Sequence, residues 1–165
     1  MDERKWIERI LAGDTQSFSC LVAKYEKMAY TIALRILENR EEAEEAVQDA
    51  FVKMYRALSD FHFDSKFSTW FYRILYRTAL TALRQQRMFV SYEEAGPVDL
   101  SNDEVESATA LLEREDRKEM IARTLKKLPA DEALLLTLYY LEECSVEEIC
   151  QITELSASNV KVKLF

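Results

Sequence analysis

Two glycines and two prolines in 165 residues leave this chain little material for tight turns. β-Hairpins draw on Gly, Asn-Gly and Asp-Gly steps, and an all-β domain needs many of them. The rest of the chain is dominated by Ala, Leu, Glu, Lys and Arg, the residues that lose least on entering a helix. An all-α fold is expected, and apolar residues recur at helical spacing through most of the chain.

Trp6, Ile7, Ile10 and Leu11 outline a first helix that stops at Gly13-Asp14, a terminating glycine followed by an N-cap candidate. A second helix is expected from about Gln16 to Leu37, with Leu21, Tyr25, Ala29, Ile32 and Ala33 within its core-facing stripe. Asn39 and Glu42 have the spacing of a capping box and open a third helix with Ala43, Ala46, Val47, Ala50, Phe51, Met54, Tyr55 and Leu58 inward. That helix is acidic in its first turns and carries Lys53 and Arg56 later. Complementing the helix dipole accounts for this order, and so does a binding face for a basic partner.

The stretch from Phe61 to Arg87 breaks with the rest. The chain has 30 acidic residues against 22 Lys and Arg, a formal charge of −8. Yet from Lys66 to Arg87 it carries Lys66, Arg73, Arg77, Arg84 and Arg87 and no acid. Phe61, Phe63, Phe67, Trp70, Phe71, Tyr72 and Tyr76 lie among these cations. Residues 61–68 read as a loop, because Asp60, Asp64, Ser65 and Ser68 interrupt the periodicity, and a helix is expected to resume at Thr69. One side of it would pack through Trp70, Phe71, Ile74, Leu75 and Ala79; the other would present arginines with Tyr72 and Tyr76 beside them. Solvated arginines on an amphipathic helix explain the charges alone. Rings beside cations suit single-stranded nucleic acid better, where stacking contributes about 1 to 3 kcal/mol per base.

Between Met88 and Ala110 there is no Lys or Arg, six acids occur, and Gly96-Pro97 breaks any helix, so an acidic flexible linker is expected. Beyond it, helices are expected from Leu111 to Leu128-Pro129 and from Ala133 to Leu141. Ser145 to Glu148 forms a second capping box before a short helix, Thr153 to Ser156 a turn, and Ala157 a further helix. This is helix-turn-helix spacing, which any two short helices across a tight turn can imitate. Ser156, Ser158, Asn159, Lys161 and Lys163 would face phosphates or base edges from that last helix.

Several classes of function are disfavoured. One histidine, no Gly-rich phosphate loop and no clustered metal ligands leave little for catalysis, so neither enzyme nor cofactor is expected. Cys20, Cys144 and Cys150 are odd in number and scattered, as buried reduced thiols would be. The charged start MDERKWIERI and the lack of a long apolar run point to a cytoplasmic chain. A charge of −8 opposes a protein that coats DNA unaided, so DNA would be met locally or with a partner's help.

The order of parts resembles the extracytoplasmic-function sigma factors, two-domain initiation subunits of bacterial RNA polymerase. The resemblance rests on Ala12-Gly13-Asp14 before Ser17-Phe18, on residues Ala43 to Phe51, on Phe67 to Ile74, on Leu128-Pro129, and on Glu147-Glu148-Ile149 leading to Asn159-Val160-Lys161. It implies a domain over residues 1–90, an acidic linker over 91–110 and a helix-turn-helix domain over 111–165. It further implies that Glu45, Gln48, Asp49, Val52 and Lys53 dock on core polymerase, and that the loop from Phe61 to Phe67 holds a flipped base of the minus-ten element. Lys66, Ser68, Thr69, Trp70, Tyr72, Arg73, Tyr76, Arg77 and Arg84 would contact the opening strand, and the helix-turn-helix would bind the minus-thirty-five element. The linker would thread the polymerase's nucleic-acid channel. Partners would be core polymerase, promoter DNA and an anti-sigma protein, often membrane-anchored in this family, with no small-molecule substrate.

Four positions depart from the family's habit. Arg77 and Thr81 stand where Asn and Asp are common, so no base preference carries over, and Cys150 and Glu154 replace the usual Ala and Gly of the helix-turn-helix. The sequence ends at Phe165, before the basic turn the family adds, so a shortened recognition helix is expected. Two other readings fit parts of the pattern: an autonomous helix-turn-helix regulator, and a helical interaction scaffold.

Overall fold

The computed structural model describes residues 3–90, residue 125 and residues 128–165. The expected linker, and the helix expected from Leu111 apart from Leu125 and Leu128, lie outside the described residues. Within these residues there are α-helices, a 3₁₀ turn and a π-helical turn, and no strand. The helices are α1 (Glu3–Leu11), α2 (Gln16–Leu37), α3 (Arg40–Arg56), α4 (Phe67–Val90), α5 (Ala130–Leu136), α6 (Val146–Thr153) and α7 (Ala157–Leu164).

Their ends follow from local chemistry. Gly13 takes φ +99°, and the Gly13 and Asp14 amides donate back to Ile10 and Arg9, which closes α1. Asp14 then receives the Gln16 N–H at 3.1 Å and the Ser17 hydroxyl at 2.9 Å, capping α2. The Ser17 hydroxyl is the main reason that the Asp14 carboxyl sits below its ordinary value. Asn39 accepts the Glu42 N–H at 3.1 Å, as expected for the start of α3. The reciprocal half of that box is not made by Glu42 Oε2, which is buried with no hydrogen-bond partner. At Ser145 both halves of the box form, at 3.2 and 2.8 Å. Helix α4 starts at Phe67, two residues before the expected Thr69.

Helices α2, α3 and α4 pack on one another, and α1 lies along α2. Ala29, Ala33, Ala43 and Ala50 are fully buried, which lets the backbones approach closely. Phe71 fills the centre, stacked on Phe51 with centroids 4.9 Å apart and edge-on to Tyr25 at 5.7 Å.

The C-terminal unit does not stand apart from this bundle. Helix α5 packs on α2 and α6 packs on α4, so Leu134, Leu135, Leu138, Ile149 and Ile152 join one continuous core with Phe67, Phe71 and Tyr72. The cysteines depart in part from expectation: all three are free thiols, but Cys20 is exposed and Cys150 only half-buried. Cys144 is buried, which pushes its thiol up to about 11.

Candidate nucleic-acid interface

The loop between the 3₁₀ turn (Leu58–Asp60) and α4 is built from rings. Phe61 is buried against Phe67 at 5.3 Å, Trp70 at 5.1 Å and Phe63 at 4.7 Å. Phe63 adopts φ +62°, a left-handed conformation that costs an L-residue about 1 to 2 kcal/mol, and more than a third of its surface stays exposed. A cavity of about 370 Å³ opens beside these rings, with Ser65 and Lys66 on its wall. Non-glycine residues held in the left-handed region cluster at active sites and ligand clamps.

Of the expected strand contacts on α4, Arg73, Arg77 and Arg84 are exposed, while Ser68, Trp70 and Tyr76 are half-buried. Thr69 and Tyr72 are not on an open face: they are 2% and 1% exposed, beneath the C-terminal unit. That unit meets α4 with three carboxylates. Glu148 pairs with Lys66 at 2.9 Å and lies 3.4 Å from the Thr69 hydroxyl. Glu142 accepts the Tyr72 hydroxyl at 2.6 Å. Glu154 accepts from Arg77, whose Nε lies at 3.0 Å, with Arg73 at 3.7 Å. Eleven residues of helix, roughly 16 Å, separate the ends of this series.

The electrostatic consequences agree with the geometry. The Glu148 hydrogen bond holds the Lys66 ammonium above its ordinary value. Burial works to raise the Glu148 carboxyl, but the Ser145 N–H and Lys66 outweigh it and keep it below the usual range. Arg77 lowers Glu154 in the same way, with Arg73 adding to it. Burial pushes the Tyr72 hydroxyl far up, with Glu142 second.

The second expected surface, on α3, is open. Glu45, Gln48, Asp49, Val52 and Lys53 are all exposed on one side of the helix. Val52 is 47% exposed, and Tyr55, which the sequence reading placed in the core, is 43% exposed one turn on, with its ring edge against Phe18. Apolar area amid charges is what a protein-docking face offers. Lys53 is partly turned inward, donating to Thr78 at 3.2 Å.

The helix-turn-helix forms as expected, α6 and α7 joined across Glu154, which takes φ +62°. Of its expected contact residues, Ser156 is the N-cap of α7, accepting the Asn159 N–H at 3.3 Å and lying 3.1 Å from the Ser158 hydroxyl. Lys163 pairs with Asp131 of α5. Ser158, Asn159 and Lys161 are exposed. Sequence reasoning missed Glu142, Glu148 and Glu154 as partners of α4, because they lie 70 to 79 positions away along the chain. The capping boxes gave a local reason for Glu148 and none for its second role.

Comparison with known proteins gives these parts their class, a sigma-type transcription initiation factor. Residues 21–88 match the Sigma-70 region 2 family and residues 118–165 match Sigma-70, region 4. The chain is 31% identical to the RNA polymerase sigma-H factor of Pseudomonas aeruginosa, over 99% of this chain and 88% of that protein. It is 30% identical to the ECF RNA polymerase sigma-E factor of Escherichia coli K12, over 96% and 86% respectively. It belongs to the extracytoplasmic-function group of the sigma-70 family and is a promoter-specificity subunit of bacterial RNA polymerase. Two solved structures share its fold. The sigma factor RpoE in complex with the anti-sigma factor NepR from Bartonella quintana gives a TM-score of 0.71 at 16% identity, covering 91% of each chain. CnrH in complex with the cytosolic domain of CnrY gives 0.63 at 21%, covering 98% of this chain and 88% of that one.

Proposed function

We propose that this subunit divides its work between three surfaces. The outer side of α3, through Glu45, Gln48, Asp49, Val52 and Lys53, docks on core polymerase. The loop from Phe61 to Phe67 accepts a base extruded from the minus-ten element, and α4 carries the opening strand on Arg73, Arg77, Arg84 and the neighbouring rings. The helix-turn-helix contacts the minus-thirty-five element, chiefly through phosphates. The domain limits are residues 1–90 and 111–165, with 91–110 between them.

The observation that carries the reading is the ring-walled cavity set directly against a cationic helix. Extruding a base costs a few kcal/mol, and stacking returns about 1 to 3 kcal/mol per base. Because Thr69 and Tyr72 lie under the C-terminal unit, that unit leaves α4 before the strand occupies it. The subunit acts in the cytoplasm and performs no catalysis of its own. Among the described residues no helix is long and apolar enough to cross a membrane. An anti-sigma protein is a further partner, as the fold neighbour from Bartonella quintana has one, and an anti-sigma protein that stabilised the packed arrangement would hold the subunit inactive.

The test is to assemble the chain with bacterial core polymerase on a promoter library and sequence the transcripts. New start sites beyond those of core alone are expected, and their absence refutes the reading. Arg73→Ala is expected to impair promoter opening while core binding stays intact; equal loss of both would mean misfolding.

A further inference from the structure

Helix α1 lines the loop cavity. Glu3, Arg4 and Ile7 share its lining with Phe61, Phe63 and Phe67. The match to region 2 begins at residue 21, so this part of the lining lies outside it. The Arg4 guanidinium sits over the Phe63 ring, 4.5 Å from its centroid, and so covers the one strained ring of the loop. Glu3 is about a quarter exposed, and its Oε1 receives both the Lys24 ammonium and the Tyr25 hydroxyl, which fixes the carboxylate in place beside the cavity.

We infer that Glu3 and Arg4 of α1 are specificity determinants for the base held in this cavity, and that they select the bases with an exocyclic amino group, cytosine, adenine and guanine, over thymine. At about 370 Å³ the cavity is near the small end for ligand sites, which suits one nucleobase. Its walls are apolar rings, over which a base stacks without regard to sequence. Selection therefore falls to the polar groups of the lining, Glu3 and Arg4 among them. A carboxylate accepts hydrogen bonds and donates none, so it pairs with an amino group and repels the thymine carbonyl oxygen. A guanidinium plane stacks on bases and donates to the ring nitrogen beside the amino group. Lys66, which the structure pairs with Glu148, turns to the phosphate once that carboxylate has left it.

This inference rests on the loop's being a base-holding site, and the experiment separates the two. Labelled oligo(dT) strands with one central C, A, G or T are titrated by fluorescence anisotropy against the chain alone and against its assembly with bacterial core polymerase. The C, A and G strands are expected to bind about fivefold or more tighter than the all-T strand, the discrimination of one good pair. Glu3→Gln should reduce that ratio below about twofold while leaving the salt dependence of binding unchanged. Arg4→Ala should weaken the C, A and G strands towards the T strand, with the helicity by circular dichroism unchanged. Strand binding with equal affinity for all four bases, or a preference that survives both substitutions, overturns the inference alone. No strand binding in either setting overturns the base-holding reading with it.

Discussion

Tyr72→Phe isolates the contact that closes α4 against the C-terminal unit. The ring lies in the continuous core, with Phe71 at 5.9 Å and Tyr25 at 6.0 Å, and phenylalanine keeps those contacts. What is lost is the 2.6 Å hydrogen bond from its hydroxyl to Glu142. A hydrogen bond to a charged group contributes about 1.5 to 3 kcal/mol. Glu142 is only half-buried and regains water when released, so the low end applies. About 1.5 kcal/mol shifts the ratio of parted to packed chains roughly tenfold.

Single-molecule energy transfer reads that ratio directly. Cys20 on α2 is exposed and takes one dye, and a cysteine placed by Ser158→Cys on α7 takes the other. Cys150→Ala removes a half-buried competitor, while Cys144 is buried with its thiol raised to about 11 and stays unlabelled. The low-transfer population is expected to grow about tenfold in the variant. Affinity for a single-stranded oligonucleotide should rise by a similar factor, because the competent fraction divides the apparent dissociation constant. An unchanged transfer distribution with an unchanged melting profile would refute the idea that this hydrogen bond holds the units together.

Two further outcomes are expected. Glu154→Gly replaces a residue at φ +62° by the one that favours that conformation, so the helix-turn-helix should keep its helicity by circular dichroism while the low-transfer population rises through loss of the Arg77 and Arg73 pairs. Acid should also part the units. Glu148 faces Lys66, Thr69, Ser145 and Cys144, and Glu154 faces Arg77, Arg73 and Tyr76; both carboxyls are held below their ordinary 4.5 in the packed form. Their contribution is therefore full above pH 4.5 and is lost as pH falls through the lowered values. The part of the Glu148 shift due to Ser145 belongs to its own helix cap and does not contribute. Transfer efficiency that is flat through this acid range would refute the carboxylates' role.

The N-terminal bundle was legible in the sequence because its signals are local. The limits of α2, Gln16 and Leu37, follow from periodicity and from the Gly13-Asp14 and Asn39 punctuation, and the Ser145 box marks α6 by itself. What escaped is non-local or competes with a local rule. Helix α4 begins at Phe67 because Phe67 packs on Tyr25 and Phe61, and that contact overrides the Ser68 capping signal. Tyr55 fits the inward stripe of α3 by spacing, yet it lies at the edge, 43% exposed, with its ring against that of Phe18. Tyr72 and Thr69 were read as exposed since nothing in their neighbourhood says that a second unit covers them. Helix α1 looked like a simple amphipathic segment, and its place beside the loop cavity is fixed by contacts from Glu3 to Lys24 and Tyr25.

The acidity of the chain and its basic strip are parts of one arrangement, and this has a measurable consequence for salt. Lys66, Arg73, Arg77 and Arg84 are the exposed cations expected to meet the strand. If all four were free, the logarithm of affinity would fall with the logarithm of salt at a slope of about −2.8, at roughly −0.7 per single-strand phosphate contact. Three of the four already hold carboxylates of the C-terminal unit. Binding then exchanges an internal ion pair for a phosphate pair. Salt weakens both, so much of its effect cancels and the slope is expected to be clearly shallower than that of four free cations. Glu154→Gly frees Arg73 and Arg77, and the slope should steepen towards the full value as the affinity rises. A slope already near −2.8 in the native chain, unmoved by the substitution, would mean that these carboxylates do not compete with the strand for α4.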